Sequence, residues 1–181
     1  MADAAQGGAG GAALPSGTVT FLFTDIEGST HLWESYPDAM QAALAQHDAL
    51  MRAAIESHAG RVFKVVGDAF CAAFATAGDA LAAAIAAQRA LGQSGPSEAG
   101  AADQNPATPR LPVPLLVRMG LHTGPAEARQ DDYQGYLTLA QAQRVMSAAH
   151  GGQVLSSNAT AALLSRQLPD GVSLRDLGLQ Q

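Results

Sequence analysis

The sequence predicts an α+β sandwich of ferredoxin-like type, an antiparallel-rich sheet with helices packed on one face. Three observations carry that expectation. The elements read in the order β-α-α-β-β-α-β-β-α-β without an internal repeat. Two pairs of β-prone runs are joined closely enough to form hairpins. The helical stretches space their apolar residues at helical period, so each has one face to bury. At 181 residues the chain fits one domain with a substantial core.

Residues 1–16 are rich in Gly and Ala without apolar periodicity, and read as a flexible tail ahead of a folded part over 17–181. The tail glycines follow no predicted strand, so they form no phosphate-binding fingerprint. Val19, Phe21, Leu22 and Phe23 mark residues 18–24 as a strand buried on both faces. Asp25 ends it, and Gly28-Ser29 breaks the chain and caps a helix. Interrupted near Pro37, that helix carries Leu32, Trp33, Met40, Ala43, Leu44, His47, Leu50, Met51 and Ile55 along one face. Packing of Leu32, Trp33 and Met40 against the chain's own sheet is the expectation, an apolar seam between subunits the alternative.

After Gly60, the runs 62–66 and 69–74 flank Gly67-Asp68, which reads as a hairpin turn. Thr76, with Asp79 three residues on, suggests a capping box for the Ala-rich helix that follows. Gly, Ser, Pro and Ala dominate 92–112, a long mobile loop. Residues 115–121 are the next strand, and Gly124 turns the chain into a short partner over 126–129. A helix over 137–149 ends at Gly151-Gly152, followed by a strand at 154–156, a short helix at 158–165 and a last strand at 172–174.

A net charge of −6 argues against a general nucleic-acid binder, which needs a basic face, but not against a nucleotide whose phosphates metal ions neutralise. Cys71 is the single cysteine, so no intrachain disulfide forms and a reducing, cytoplasmic location is expected. No secretory signal is evident, and the most apolar helical stretch, 77–91, is too short and too polar to span a membrane. The five histidines include no i,i+4 pair, which disfavours a metallohydrolase, and no nucleophile elbow is present.

Chemistry concentrates in two segments. In Phe23-Thr24-Asp25-Ile26-Glu27-Gly28-Ser29-Thr30 a carboxylate sits where a buried strand ends, and Gly with two hydroxyl residues opens a helix. That pairing of a fixed carboxylate with backbone amides suits a metal-bound polyphosphate; a plain helix cap is the competing reading. In Phe63-Lys64-Val65-Val66-Gly67-Asp68, Asp68 lies at a hairpin tip from which it reaches the same metal as Asp25, provided the hairpin flanks the first strand. Two carboxylates with phosphate oxygens and water suit Mg²⁺ or Mn²⁺.

Together these segments resemble one family. Residues 17–30 look like the first metal motif of class III adenylate and guanylate cyclases, and 63–70 look like the second. Arg118-Met119-Gly120-Leu121-His122-Thr123-Gly124, then 148–154 and 173–178, are similar to the family's following segments, in the same order. The resemblance implies a head-to-tail homodimer with composite sites. Asp25 and Asp68 hold two Mg²⁺ or Mn²⁺ ions, assisted by the Ile26 carbonyl, and Glu27, Gly28, Ser29 and Thr30 line the phosphates. Lys64 of the partner contacts the adenine ring and Asp132 takes the second base-reading position, a pair that implies ATP over GTP. Arg144 stabilises charge on the phosphates while the ribose 3′-oxygen attacks the α-phosphate.

Two departures from the family pattern stand out. The helical position expected to hold a ribose-orienting Asn is Ala140 or, counted forward from Gly135, Leu139. Gln141 and Gln143 lie on other faces of the helix than position 140. Gln180 and Gln181 occupy the end of this sequence, where the family carries a cation. The leading expectation is therefore an adenylate cyclase. The alternative is a degenerate cyclase domain that binds nucleotide or dimerises to regulate a partner.

Overall fold

The structure, a computed structural model, describes residues 13–93, 114–134, 136–165 and 167–178. The chain forms β1 (Gly17–Ile26), α1 (Ser29–Ser35), α2 (Pro37–Ser57), β2 (Arg61–Val66), β3 (Ala69–Phe74), α3 (Ala77–Gln93), β4 (Val117–Arg129), β5 (Asp132–Gln134), α4 (Tyr136–Ser147), β6 (Val154–Ser156) and α5 (Asn158–Leu164). The strand order is β2-β3-β1-β4-β5, with β6 also on β4. Every pairing is antiparallel except β4 with β6. The succession β2-β3-β1-β4 is a ferredoxin-like order, in which β2 and β3 pair as a hairpin and helical crossovers place β1 between β3 and β4.

Strand β1 is central, and its period of two divides the core. Leu22 and Ile26 enter one cluster with Met40, Met51 and Ile55 of α2, Leu81 and Ala84 of α3 and Leu164 of α5. Val19, Phe21 and Phe23 enter the other, with Tyr133 of β5 and Ala142 and Met146 of α4. Thus α2, α3 and α5 cover one face, while α4 crosses the β4 end of the opposite face. There Phe21, Phe63 and Tyr133 meet edge to face, with Tyr133 centroids 4.9 Å from Phe21 and 5.0 Å from Phe63.

Local signals are largely realised. Pro37 opens α2 one residue after α1 ends at Ser35. Asp79 N–H donates to Thr76 Oγ1 at 3.1 Å, the expected cap, while the return contact runs from that hydroxyl to Asp79 Oδ2 at 2.6 Å rather than from the Thr76 N–H as in a full capping box. Other expectations are corrected. Gly124 does not turn the chain: β4 runs through it to Arg129 and reverses at Gln130-Asp131, with Gln130 at φ 53°. Pro125 is tolerated because its carbonyl faces the gap between β6 and β5, where it accepts the Thr138 hydroxyl at 2.7 Å, so β1 loses no ladder bond. Residues 172–174 form no strand, since β5 and β6 already occupy the β4 edge. Trp33 is 39% exposed rather than packed on the sheet, whereas Leu32 and Met40 are buried. Gly92 and Gln93 close α3, so that part of the expected 92–112 loop is helical; 94–112 lie outside the described residues.

Of the tail expected over 1–16, residues 1–12 lie outside the described residues. Residues 13–16 run beside the β4–β5 hairpin: Tyr133 O–H donates to Pro15 O at 2.8 Å, and Ala128 N–H to Ser16 Oγ at 3.0 Å. Among the described residues no helix is long and apolar enough to cross a membrane.

Candidate active site

Asp25 is the next-to-last residue of β1 and stands opposite Arg118 of β4 in the antiparallel register. Arg118 Nε donates to Asp25 Oδ2 at 2.9 Å, and Nη2 donates to the same oxygen. The side chains are only 23% and 31% exposed, which shelters this pair from the screening that weakens surface ion pairs. Asp68, in the turn between β2 and β3, accepts the Ile26 N–H on Oδ2 at 3.1 Å. That bond ties the hairpin tip to the end of β1, one residue along the chain from Asp25.

Two carboxylates and a nearby backbone carbonyl are hard oxygen donors, so these residues fit Mg²⁺ or Mn²⁺. Among the described residues no group of three or more His, Cys, Asp or Glu side chains gathers as a metal cage. An ion bound here would complete its shell with water and substrate oxygens, a mode that Mg²⁺ favours.

The amides expected to line phosphates divide into two sets. Ile26 N–H is engaged by Asp68, and Glu27 N–H donates to Leu116 O at 2.8 Å. The Glu27 carboxylate lies 3.7 Å from His150 Nδ1, and Gly151 packs so closely that a Cβ there would lie 2.8 Å from Glu27 Oε2. Glu27 thus faces the connection between α4 and β6. The amides of Gly28, Ser29 and Thr30 open α1, where no intrahelical acceptor exists for them. Gly28 is the N-cap at φ 70°, a left-handed conformation that costs a residue without Cβ nothing.

Lys64 of β2 and Asp132 of β5 are brought together, Nζ to Oδ2 3.9 Å, with side chains 54% and 60% exposed. An exposed pair at that distance adds little stability and leaves both groups open to a ligand. Cys71, opposite Lys64 in the β2–β3 register, is pushed up to about 11 by burial, with Lys64 opposing and Asp132 adding to the shift. Arg144 and Ala140 are both exposed on α4, and among the described residues no ion pair includes Arg144. The chain therefore gathers these residues into two groups, Asp25-Ile26-Asp68 at the end of β1 and Lys64-Asp132 over β2 and β5, and among the described residues no ion pair joins Arg144 to either.

Sequence reasoning assigned no role to Arg118 or His122. Both lie on the strip of β4 that alternation turns toward α4, together with Gly120 and Gly124. His122 is 7% exposed, its Nδ1 lies 2.8 Å from Ser157 Oγ, and burial lowers its pKa against a side-chain hydrogen bond with Gln141.

Residues 12–177 match the model of the adenylate and guanylate cyclase catalytic domain, and the chain belongs to that family. An uncharacterized protein of Mycobacterium tuberculosis is 39% identical over 166 residues, covering 91% of this chain and 51% of its own length. An adenylate cyclase of Podospora anserina is 36% identical, covering 85% of this chain but 8% of the fungal protein. The chain thus spans about half the length of the mycobacterial relative and a small part of the fungal one. Among solved structures, a Trypanosoma brucei adenylate cyclase in its monomeric state superposes with a TM-score of 0.68 at 32% identity, covering 88% of this chain and 86% of that one. The adenylyl cyclase CyaB of Pseudomonas aeruginosa has a TM-score of 0.69 at 24% identity, covering 83% and 82%, a likeness of fold.

Proposed function

We propose that this domain converts ATP to cyclic AMP and pyrophosphate in a homodimer. The observation that carries the reading is the joining of Asp25, Ile26 and Asp68 at one point by the Ile26 N–H to Asp68 bond of 3.1 Å. Family membership and the adenylate cyclases at 34–36% identity support the reaction class and favour ATP.

In this reading the Asp25 and Asp68 carboxylates and the Ile26 carbonyl hold Mg²⁺ or Mn²⁺. The bound ions supply charge neutralisation and a more acidic ribose hydroxyl. Gly28, Ser29 and Thr30 receive phosphate oxygens at the opening of α1, with Glu27 bordering them. Lys64 and Asp132, a donor beside an acceptor, complement the adenine edge, which offers a ring-nitrogen acceptor beside an amino donor. They serve the site whose metal residues belong to the partner subunit. Arg144 contributes positive charge as the ribose 3′-oxygen bonds to the α-phosphorus, the bond to the β-phosphate oxygen breaks, and the 3′-hydroxyl proton leaves to solvent. In this reading neither Gln141 nor Gln143, whose Nε2 lies 3.4 Å from Ser147 Oγ, replaces the ribose-orienting Asn missing at Ala140 or Leu139, because both project from other parts of the helix.

Purified protein incubated with Mn²⁺ and either ATP or GTP, beside an Asp25→Ala control, tests the proposal. Cyclic AMP formed by the wild type and abolished by the substitution is expected. Metal-dependent ATP binding without product would instead identify a regulatory nucleotide-binding module.

A further inference from the structure

We infer that Phe63 and Tyr133 are positioning residues, whose ring contact holds Lys64 against Asp132 and so sets the gap that selects the base; the selectivity consequence rests on the cyclase reading. Lys64 Nζ and Asp132 Oδ2 lie 3.9 Å apart although β2 and β5 are the two ends of the strand order. Strands β3, β1 and β4 lie between them, which in a flat sheet would separate β2 from β5 by about 19 Å. The side chains of Lys and Asp do not span that distance. The β4–β5 hairpin must therefore fold over one face of the sheet, and that face must receive it.

Three rings make the contact. Tyr133 is buried, follows Asp132 in β5, and meets Phe21 edge to face at 4.9 Å and Phe63 at 5.0 Å between centroids. Phe63 precedes Lys64 in β2 and also meets Phe21, at 5.8 Å. Consecutive residues of a regular strand point to opposite faces. Here the β2–β3 register shifts between Val62 and Lys64, so Phe63 has no residue opposite it and Lys64 pairs with Cys71, itself paired with Phe23 of β1. A bulge of this kind turns Phe63 and Lys64 to the same face, the one that carries Phe21 and Phe23. The buried ring contact is thus one residue from Lys64 on β2 and one residue from Asp132 on β5.

The polar ends are held separately. Tyr133 O–H donates to Pro15 O at 2.8 Å, and Tyr133 N–H donates to Asp132 Oδ1 at 2.8 Å, which leaves Asp132 Oδ2 as the oxygen nearer Lys64. Lys64 and Asp132 are themselves more than half exposed, and an ion pair so open to water adds too little to hold either side chain. Their spacing is set by the rings beneath them rather than by their own attraction.

The test compares Phe63→Leu, Tyr133→Leu, the Phe63→Leu/Tyr133→Leu double variant and Tyr133→Phe, which keeps the ring and loses the bond to Pro15. Each is first checked for a cooperative thermal transition. Phe63 is only half-buried, so Phe63→Leu decides the matter should Tyr133→Leu not fold. Lys64 is the single lysine of the chain, so a zero-length carbodiimide applied without nucleotide couples it to a carboxylate within reach, and peptide mass spectrometry reads the Lys64–Asp132 amide. Tyr133→Phe is expected to match the wild-type yield within about threefold, and each Leu variant to give about tenfold less. With Mn²⁺ and nucleotide, each Leu variant should raise the KM for ATP about tenfold, keep kcat within about threefold, and lower the preference for ATP over GTP about tenfold. The double variant should be no worse than either single, as for two residues acting through one contact. Wild-type yield and selectivity in a folded Leu variant, or losses that multiply in the double variant, overturns the inference. Were the wild type to form no cyclic nucleotide, the cyclase reading would fail on its own and the cross-link would decide this one. A reduced yield in the Leu variants, restored in Tyr133→Phe, supports it, and an unchanged yield overturns it.

Discussion

Replacing Gly120 by Ala tests the packing that places α4 on the sheet. The added Cβ would lie 2.5 Å from Met146 Cα and 2.8 Å from Met146 Cβ, and closer still to the Met146 amide nitrogen. Ordinary Cβ contacts begin near 3.4 Å, so α4 must lift by roughly 1 Å. A side chain in the way could rotate aside; helix backbone cannot. Overpacking of this kind costs about 1–3 kcal/mol, and a backbone obstacle puts Gly120→Ala at the upper end, about 3 kcal/mol. For a chain of this size that lowers Tm by about 6–12 °C. Gly78→Ala is the control, because its Cβ would meet nothing closer than 3.9 Å and the helix α3 gains about 0.5 kcal/mol from Ala. Urea unfolding followed by far-UV circular dichroism measures both. A Gly120→Ala midpoint equal to wild type, or a Gly78→Ala loss as large as that of Gly120→Ala, would refute the argument.

Three further outcomes follow from other parts of the molecule. Asp25→Asn removes the charge that Arg118 pairs with, so the metal-free protein should lose about 1–3 kcal/mol in urea unfolding. Mn²⁺ is expected to raise the Tm of the wild type by mass action, and the same variant should lose that rise. Burial lowers the His122 pKa from 6.5, so its unfolded state binds the proton more readily than its folded state. His122 therefore contributes full stability above pH 6.5, and that contribution is lost as pH falls through the lower folded value. His122→Asn should flatten this part of a stability–pH curve measured between pH 5 and pH 8. Cys71, held near 11, is almost entirely thiol at pH 8, and iodoacetamide should modify it far more slowly in the native protein than in urea.

Much of the fold was legible residue by residue because its signals are local. Pro37 restarting the helix, the Gly67-Asp68 turn and the Thr76–Asp79 cap each depend on neighbours within a few positions. The run from Val19 to Phe23 was read as buried on both faces, and β1 is the central strand. The misreadings share another cause. Gly124 looks like a turn in isolation, yet β1 pairs along β4 as far as Ala126 and Thr138 seals the Pro125 edge. Trp33 has a core residue's composition but falls on the outer side of α1.

The site divides in the same way. Asp25 and Asp68 were picked out as carboxylates at a strand end and a hairpin tip, whereas Lys64 and Asp132 took their roles, and their pairing, from the family resemblance. The Arg118 partner of Asp25 was not foreseeable, because it comes from pairing register. Asp25 meets Arg118 since β1 and β4 align those two positions, and a shift of one residue would turn Arg118 to the other face of the sheet. His122 meets Ser157 only once β6 has packed on β4. Periodicity and turn chemistry are written in consecutive residues, so the chain alone determined the elements as far as β3 and α3, their order and the carboxylates at their ends. Ion pairs and hydrogen bonds across the sheet depend on which of many long-range alignments buries the most apolar surface, and the folded core alone decides that.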